Sequence, residues 1–344
     1  MKAQLLREIR PVEPGSSPLS LETVRDPVPG EYELLVSVEA CGVCHTELDE
    51  IEGRTPPPAL PVIPGHQVVG TVIDTGRNAT RFQTGQRVGI AWISAACGYC
   101  NYCRTGRENL CPEFRATGRD VNGGYAELIT VGEDFAYLIP EEFSPAEAAP
   151  LLCAGAIGYR SLSLTNLEDG QNLGLIGFGA SGHLVLKLVT HQFPETRVFV
   201  FARNEAERQF AVDLGAFWTG DPDEVPPQQL HCAIDTTPVW RPVIHGLSNL
   251  VPGGRLVINA IRKESHDREA LAEIDYASHF WMEKEIKSVA NVTRRDVAGF
   301  LAVAAAIPIR PEVQLYKLEE ANEALIQLKA KRIRGAKVLH LLGH

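Results

Sequence analysis

Four cysteines fall within fifteen residues, "CGYCNYCRTGRENLC", at positions 97–111. The spacing C-x2-C-x2-C-x7-C lets Cys97, Cys100 and Cys103 converge from successive tight turns, with Cys111 closing a tetrahedron. Thiols this crowded invite oxidation if they bind nothing. Four thiolates with no open position suit a structural Zn²⁺, so residues 95–112 read as a zinc lobe. An iron–sulfur cluster is the sharper rival. Its bacterial pattern ends x3-C-P, whereas here the last gap is seven, although Pro112 follows Cys111. A nucleic-acid-binding zinc ribbon needs clustered positive charge. The chain has 43 acidic and 33 basic residues, a formal charge of −10, which argues against a nucleic-acid partner. The short basic run "KRIR" at 331–334 reads as a solvated face or a contact to a small phosphate.

The whole chain, 344 residues, is long enough for two domains. Its first 150 residues hold short β-like runs broken by Gly and Pro, such as "YELLVSVEA", "HQVVGTVID", "QRVGIAWI" and "YAELITV". From about residue 153 the period changes to βαβ alternation, expected for a parallel doubly wound sheet. The tail reads as helix, strand, helix, strand. No apolar run reaches the roughly 18 residues that span a bilayer, so no membrane partner is expected. The N-terminus lacks an apolar h-region, and the clustered cysteines suit a reducing compartment, so the expected location is cytoplasmic.

The stretch "LGLIGFGASGHLVLKL" places Gly177, Gly179 and Gly182 as G-x-G-x-x-G between a strand-like run and an apolar-periodic helix. That is the context of a dinucleotide loop, with Ala180 and Ser181 in the first helical turn. NAD binding calls for an acidic residue at the end of the next strand. "RVFVFARNEAER" offers Ala202, Arg203 and Asn204 there instead. An arginine at this point accepts a 2′-phosphate, which favours NADP over NAD. The other reading is that Arg203 is solvated and stacks on adenine.

Three dispersed residues add a second constellation: Cys44, His66 in "IPGHQVVG" and Cys153 in "APLLCAGAIGYR". Singly, each has a bland reading, as a turn residue or a buried inert thiol. Cys41 and Cys44 also form C-x-x-C, which fits a redox pair. Together, two Cys and one His make a three-ligand zinc set with one position open, which is a Lewis-acid site.

With these residues in hand, the chain resembles the zinc-dependent medium-chain alcohol dehydrogenases, in the bacterial branch of the cinnamyl-alcohol-dehydrogenase-like group. The resemblance runs in order through "CGVCHTELD", "PGHQVVGTV", the four-cysteine lobe, "LLCAGAIGYR", "GFGASG", "SVANVTRRD" and "RIRGAKVL". It implies an α/β fold: a GroES-like β-rich catalytic domain at 1–153, a Rossmann domain at 154–293 and a return to the catalytic domain at 294–344. It implies two zincs per chain and a homodimer or homotetramer. It implies reversible hydride transfer between a primary alcohol or aldehyde and NAD(P). Cys44, not Cys41, matches the ligand, with His66 and Cys153. Thr46 matches the hydroxyl that takes the substrate proton, His45 the basic residue that reaches the cofactor pyrophosphate, and Trp92 a pocket aromatic. Leu48 and Ile51 are expected beside Trp92 in the pocket.

Three departures stand out. Gln67 replaces the glutamate of the family's Gly-His-Glu. Glu47 replaces the aspartate after His-Thr and is expected to hold the His66 ring. Asp49 stands where many members place the solvent-side histidine of a proton relay, and it reads as a surface carboxylate and a poor acceptor near neutrality. Two alternative functions remain at this point, a polyol or sugar dehydrogenase and a non-catalytic zinc- and nucleotide-binding protein.

Overall fold

Strand Glu33–Val43 alternates half-buried and buried positions as far as Ala40 and is buried through Val43. Such alternation puts one face of a strand against a core. It pairs antiparallel with Val68–Thr75, Leu128–Gly132 and Ala336–His340. Arg87–Ile90 and Ala136–Leu138 extend the sheet on one side, and Val313–Lys317 extends it on the other. Leu34, Val36, Val38, Val68, Val72, Val88 and Ile90 fill the core beneath it. The computed structural model describes residues 1–307, 309–330 and 335–341, and the "KRIR" run at 331–334 lies outside the described residues.

Contacts divide the chain into two units, Met1–Cys153 with Val292–His344, and Ala154–Asn291. The return therefore begins at Val292, where the sequence reading placed it at 294. Val292 is 1 % exposed, and Thr293 caps helix Arg294–Ala306 through Asp296.

The second unit holds six parallel strands: β1 Asn172–Ile176, β2 Arg197–Phe201, β3 Trp218–Gly220, β4 Leu230–Asp235, β5 Leu250–Ile258 and β6 Glu285–Ser288. Their spatial order is β3-β2-β1-β4-β5-β6. The order reverses between β1 and β4, which is where a doubly wound sheet takes its ligand. Near-continuous burial along β1, β2 and β4 reflects cover on both faces. The tail folds as helix Arg294–Ala306, strand Val313–Lys317, helix Ala321–Lys329 and strand Ala336–His340, the order its periodicity predicts. Among the described residues no helix is long and apolar enough to cross a membrane.

Candidate functional site

The pairing of Cys41 with Val68 brings the end of one strand beside the start of the next, so Cys44 and His66 emerge side by side. Gly42 N donates to Gln67 O at 2.9 Å and closes that end of the ladder. Gly65 precedes His66 with φ +100, and a Cβ there would sit 2.4 Å from the Tyr125 ring and 2.9 Å from Cys41 Sγ. Only glycine takes that turn without displacing its neighbours. Cys153 arrives separately, on the π-helical turn Leu151–Gly155 that follows helix Pro145–Pro150. The donor atoms of Cys44, His66 and Cys153 lie within 4.8 Å of one another.

Cys44 is the N-cap of helix His45–Ile51. Glu47 reaches back and accepts from Cys44 N at 2.8 Å with Oε2. Its Oε1 accepts from His66 Nδ1 at 2.5 Å. The ring's Nε2 is thereby left for a metal. Thr46 Oγ1 lies 3.6 Å from Cys44 Sγ, and His45 is exposed at the helix start. A hydrogen bond from Cys153 holds the Cys44 thiol well below its ordinary pKa, with His66 adding to the effect against burial. The same bond and burial push Cys153 well up. Burial works against charge on His66, yet Glu47 and Cys44 hold its pKa well above the usual value. Two thiols, one of them readily ionised, and an oriented imidazole are donors that suit Zn²⁺.

The lobe passes a stricter test. Cys97 Sγ and Cys103 Sγ are 3.9 Å apart, too far for a disulfide. They match the edge of about 3.8 Å that a sulfur tetrahedron around zinc requires from its bond lengths. All four sulfurs lie within 4.8 Å of one another. Backbone amides point at them: Cys97 N at Cys111 Sγ, Cys100 N at Cys97 Sγ and Cys103 N at Cys100 Sγ, at 3.4–3.5 Å. The Cys103 amide is the main cause that lowers Cys100 to about 7. Burial outweighs the amides at Cys97 and Cys103, raising the first and pushing the second up to about 12, so Cys100 is the thiol of these three most ready to ionise.

Two expectations need correction, and Asn204 has a structural role besides the expected one. Leu48 and Ile51 belong to the hydrophobic core, 2 % and 0 % exposed, and do not line a pocket. They are three residues apart on the inner side of a seven-residue helix, which is too short to hold without that burial. Asp49 is not a surface carboxylate: it is 6 % exposed and accepts from Arg54 Nε at 2.5 Å. The helix turns its side chain inward, and Arg54, five residues on, folds back to meet it. Asn204 is the N-cap of helix Glu205–Asp213 and accepts from Ala206 N at 2.9 Å, so its side-chain oxygen is already engaged.

At the glycine loop, Gly177 has φ +86, and a Cβ there would lie 2.5 Å from Thr236 Oγ1. Gly179 and Ala180 are exposed, and a Cβ on Gly179 would meet nothing within 4 Å. Helix Ala180–Gln192 has no side-chain cap, so the amides of Ala180, Ser181 and Gly182 remain for an anion. A Cβ on Gly182 would come within 2.9 Å of Gly177 O, the close packing its motif position predicts. Arg203 is exposed at the end of β2. Sequence reasoning missed Arg208, whose Nη1 donates to Ala202 O at 2.7 Å and Arg203 O at 3.2 Å. Its signal was helical spacing: four residues past the Asn204 cap, it folds over the strand end. Also missed was Phe114, whose ring lies 5.0 Å from the half-buried Trp92 ring.

Comparison with known proteins agrees with this architecture. The family model described as the alcohol dehydrogenase GroES-like domain matches residues 30–141. The chain is 43 % identical to a probable alcohol dehydrogenase, AdhA, of Mycobacterium tuberculosis, covering 98 % of this chain and 97 % of that one. It is 33 % identical to an alcohol dehydrogenase of Geobacillus stearothermophilus, covering 99 % of each. The cinnamyl alcohol dehydrogenase SbCAD4 of Sorghum bicolor superposes with a TM-score of 0.82 at 25 % identity, over 99 % of this chain and 98 % of that one. With relatives this similar along nearly its whole length, the chain belongs to the zinc-dependent medium-chain alcohol dehydrogenase family.

Proposed function

We propose that this protein is a zinc-dependent alcohol dehydrogenase that interconverts a primary alcohol and its aldehyde. One observation carries the reading: Cys44, His66 and Cys153, far apart in sequence, bring three donor atoms within 4.8 Å. Cys44, His66 and Cys153 would hold a zinc ion, and the chemistry it would supply there is Lewis-acid activation of a substrate oxygen. A second zinc in the Cys97–Cys111 lobe serves the fold. NAD(P) bound at the glycine loop would be the hydride carrier.

The chain's own residues do the rest. Thr46 carries a hydroxyl that both accepts and donates, so it takes the alcohol proton and passes one on. Glu47 fixes the His66 tautomer. Asp49 is engaged by Arg54, so the proton leaves Thr46 by another route. The amides of Ala180–Gly182 bind the pyrophosphate. Arg203, with Arg208 beside it, takes the 2′-phosphate and gives the NADP preference. Trp92 and Phe114 supply an aromatic wall for an apolar or aromatic alcohol.

An all-Cys/His donor set speaks against the polyol reading, which expects a carboxylate ligand. Eight free cysteines suit a reducing compartment, the cytoplasm. The edge strand β6 is exposed along its length, with Trp281, Met282 and Ile286 around it, and supports a homo-oligomer formed through that edge.

The test is turnover of the zinc-loaded protein, read by reduced-nicotinamide absorbance. Benzyl, cinnamyl and short aliphatic alcohols and their aldehydes are offered with NADP(H) and NAD(H) in parallel. Turnover that disappears in Cys44→Ser supports the reading. Substantial turnover in metal-free protein overturns it.

A further inference from the structure

Glu50 follows Glu47 by three residues on helix His45–Ile51, so the two carboxylates share one face. Both are sealed from solvent, Glu50 being 2 % exposed. Glu47 uses both of its oxygens, on His66 and on the Cys44 amide. Glu50 does not: its Oε1 has no hydrogen-bond partner. Trp92 Nε1 approaches Glu50 but is itself unpartnered, as is the hydroxyl of the fully buried Tyr125. Burial first, then repulsion from Glu47, pushes the Glu50 carboxyl well above the usual range, with Cys44 adding to the rise and His66 opposing it. It therefore sits in the field of the candidate zinc ligands.

A buried carboxyl with an idle oxygen and anionic neighbours takes up a proton, and stays charged only where a cation compensates it. Such a cation belongs at Cys44, His66 and Cys153. Position 67, directly after the ligand His66, holds a neutral amide. Gln67 is packed on the backbone at Gly42, where a Cβ would come within 2.5 Å of its Oε1. The site thus lacks a carboxylate at 67 and has an unexplained one at 50.

We infer that Glu50 is a positioning residue for the catalytic metal, supplying beside the ion the negative charge that Gln67 does not. The inference rests on the zinc reading above. Glu50 strengthens the hold of the three ligands on a divalent cation without being a ligand itself.

The experiment compares the wild type with Glu50→Gln, Glu50→Gln with Gln67→Glu, and Cys44→Ser. Zinc per chain is measured after dialysis against a fixed chelator, and the visible spectrum is recorded after cobalt substitution. The wild type should keep two ions. Cys44→Ser should keep one, in the lobe. Glu50→Gln should bind the second ion roughly 10–100-fold more weakly, the usual effect of removing an outer partner, and should shift the cobalt bands. Gln67→Glu in that background should restore affinity at least in part. Glu50→Gln that holds the second ion as the wild type does, or that only loses thermal stability, overturns the inference. So does a double variant with no recovery. A wild type that holds no more zinc than Cys44→Ser overturns the zinc reading and this inference together.

Discussion

Glu47 Oε1 lies 2.5 Å from His66 Nδ1, and the two side chains are 0 % and 2 % exposed. Its other oxygen accepts from the Cys44 amide. One carboxylate thus sets both the direction of the imidazole and the start of the helix that carries Cys44. This is the link from strand register to chemistry, since the sheet brings the two residues together and Glu47 aims them.

Glu47→Ala should therefore release the ring. Zinc affinity at Cys44, His66 and Cys153 should fall roughly 10–100-fold, as for other outer partners, while the lobe keeps its ion. Glu47→Asp, one methylene shorter, should recover part of the loss. Chelator competition on the purified variants measures both. Unchanged affinity in Glu47→Ala would refute the orienting role.

The lobe is tied to the returning segment by Glu108, which is 3 % exposed. Its Oε1 accepts from Arg294 N at 2.9 Å and from Arg294 Nε at 3.2 Å. Arg294 also lies over the Phe135 ring, 5.1 Å from its centroid. Glu108→Ala leaves these donors without an acceptor and should lower stability by about 1–3 kcal/mol. Cys103→Ser should lose one zinc and destabilise further, because structural zinc contributes folding energy. Thermal melts paired with zinc analysis separate the two cases: Glu108→Ala should melt lower with both ions still bound.

Much of this was legible in the sequence for a physical reason. The change from broken β-like runs to βαβ alternation near residue 153 follows burial, and burial is what periodicity records. Cys97–Cys111 was legible because its ligands are local. Cys44, His66 and Cys153 were not separable from bland cysteines and a turn histidine until taken together, because their convergence depends on strand register. Strand β3, Trp218–Gly220, is only three residues long and leaves no periodic trace. Leu48, Ile51, Asp49 and Glu50 were misread or passed over because all four lie on a helix of seven residues. There, which side faces inward is set by tertiary packing and not by any repeat.

At the sheet's switch point, Lys263 Nζ pairs with Asp235 and donates to Thr237 O at 2.8 Å and Val239 O at 2.9 Å. The side chains are 7 % and 0 % exposed. Burial pushes the Asp235 carboxyl above the usual range, with Lys263 pulling against it. Removing one partner of a buried pair costs about 3–5 kcal/mol, so Lys263→Met should melt well below the wild type at neutral pH. A carboxyl raised in the folded state binds more protons there than in the unfolded chain. Its stabilising effect is full below the unfolded pKa of about 4 and is lost as pH rises through the folded value. Without Lys263 that rise is larger. The deficit of Lys263→Met should therefore shrink on acidification from pH about 7.5 to about 4.5. A deficit that stays constant across that range would show that Asp235 is not the group responsible.

The proposed NADP preference rests on two cations at the end of β2. Arg203 is exposed, and Arg208 is braced on the carbonyls of Ala202 and Arg203. A charge-assisted hydrogen bond is worth about 1.5–3 kcal/mol, or roughly 10–100-fold in binding. Arg203→Ala should lower kcat/KM for NADP by that factor and leave NAD almost untouched, because NAD has no phosphate at that position. Arg208→Ala should weaken NADP as well and also disturb NAD, because it releases two backbone carbonyls at the strand end. Ala202→Asp combined with Arg203→Ala places a carboxylate where the ribose 2′-hydroxyl of NAD would bind, and should reverse the preference. Steady-state kinetics with both cofactors decide among these outcomes. If Arg203→Ala slows NAD and NADP equally, the arginine stacks on a part common to both, and specificity must come from elsewhere.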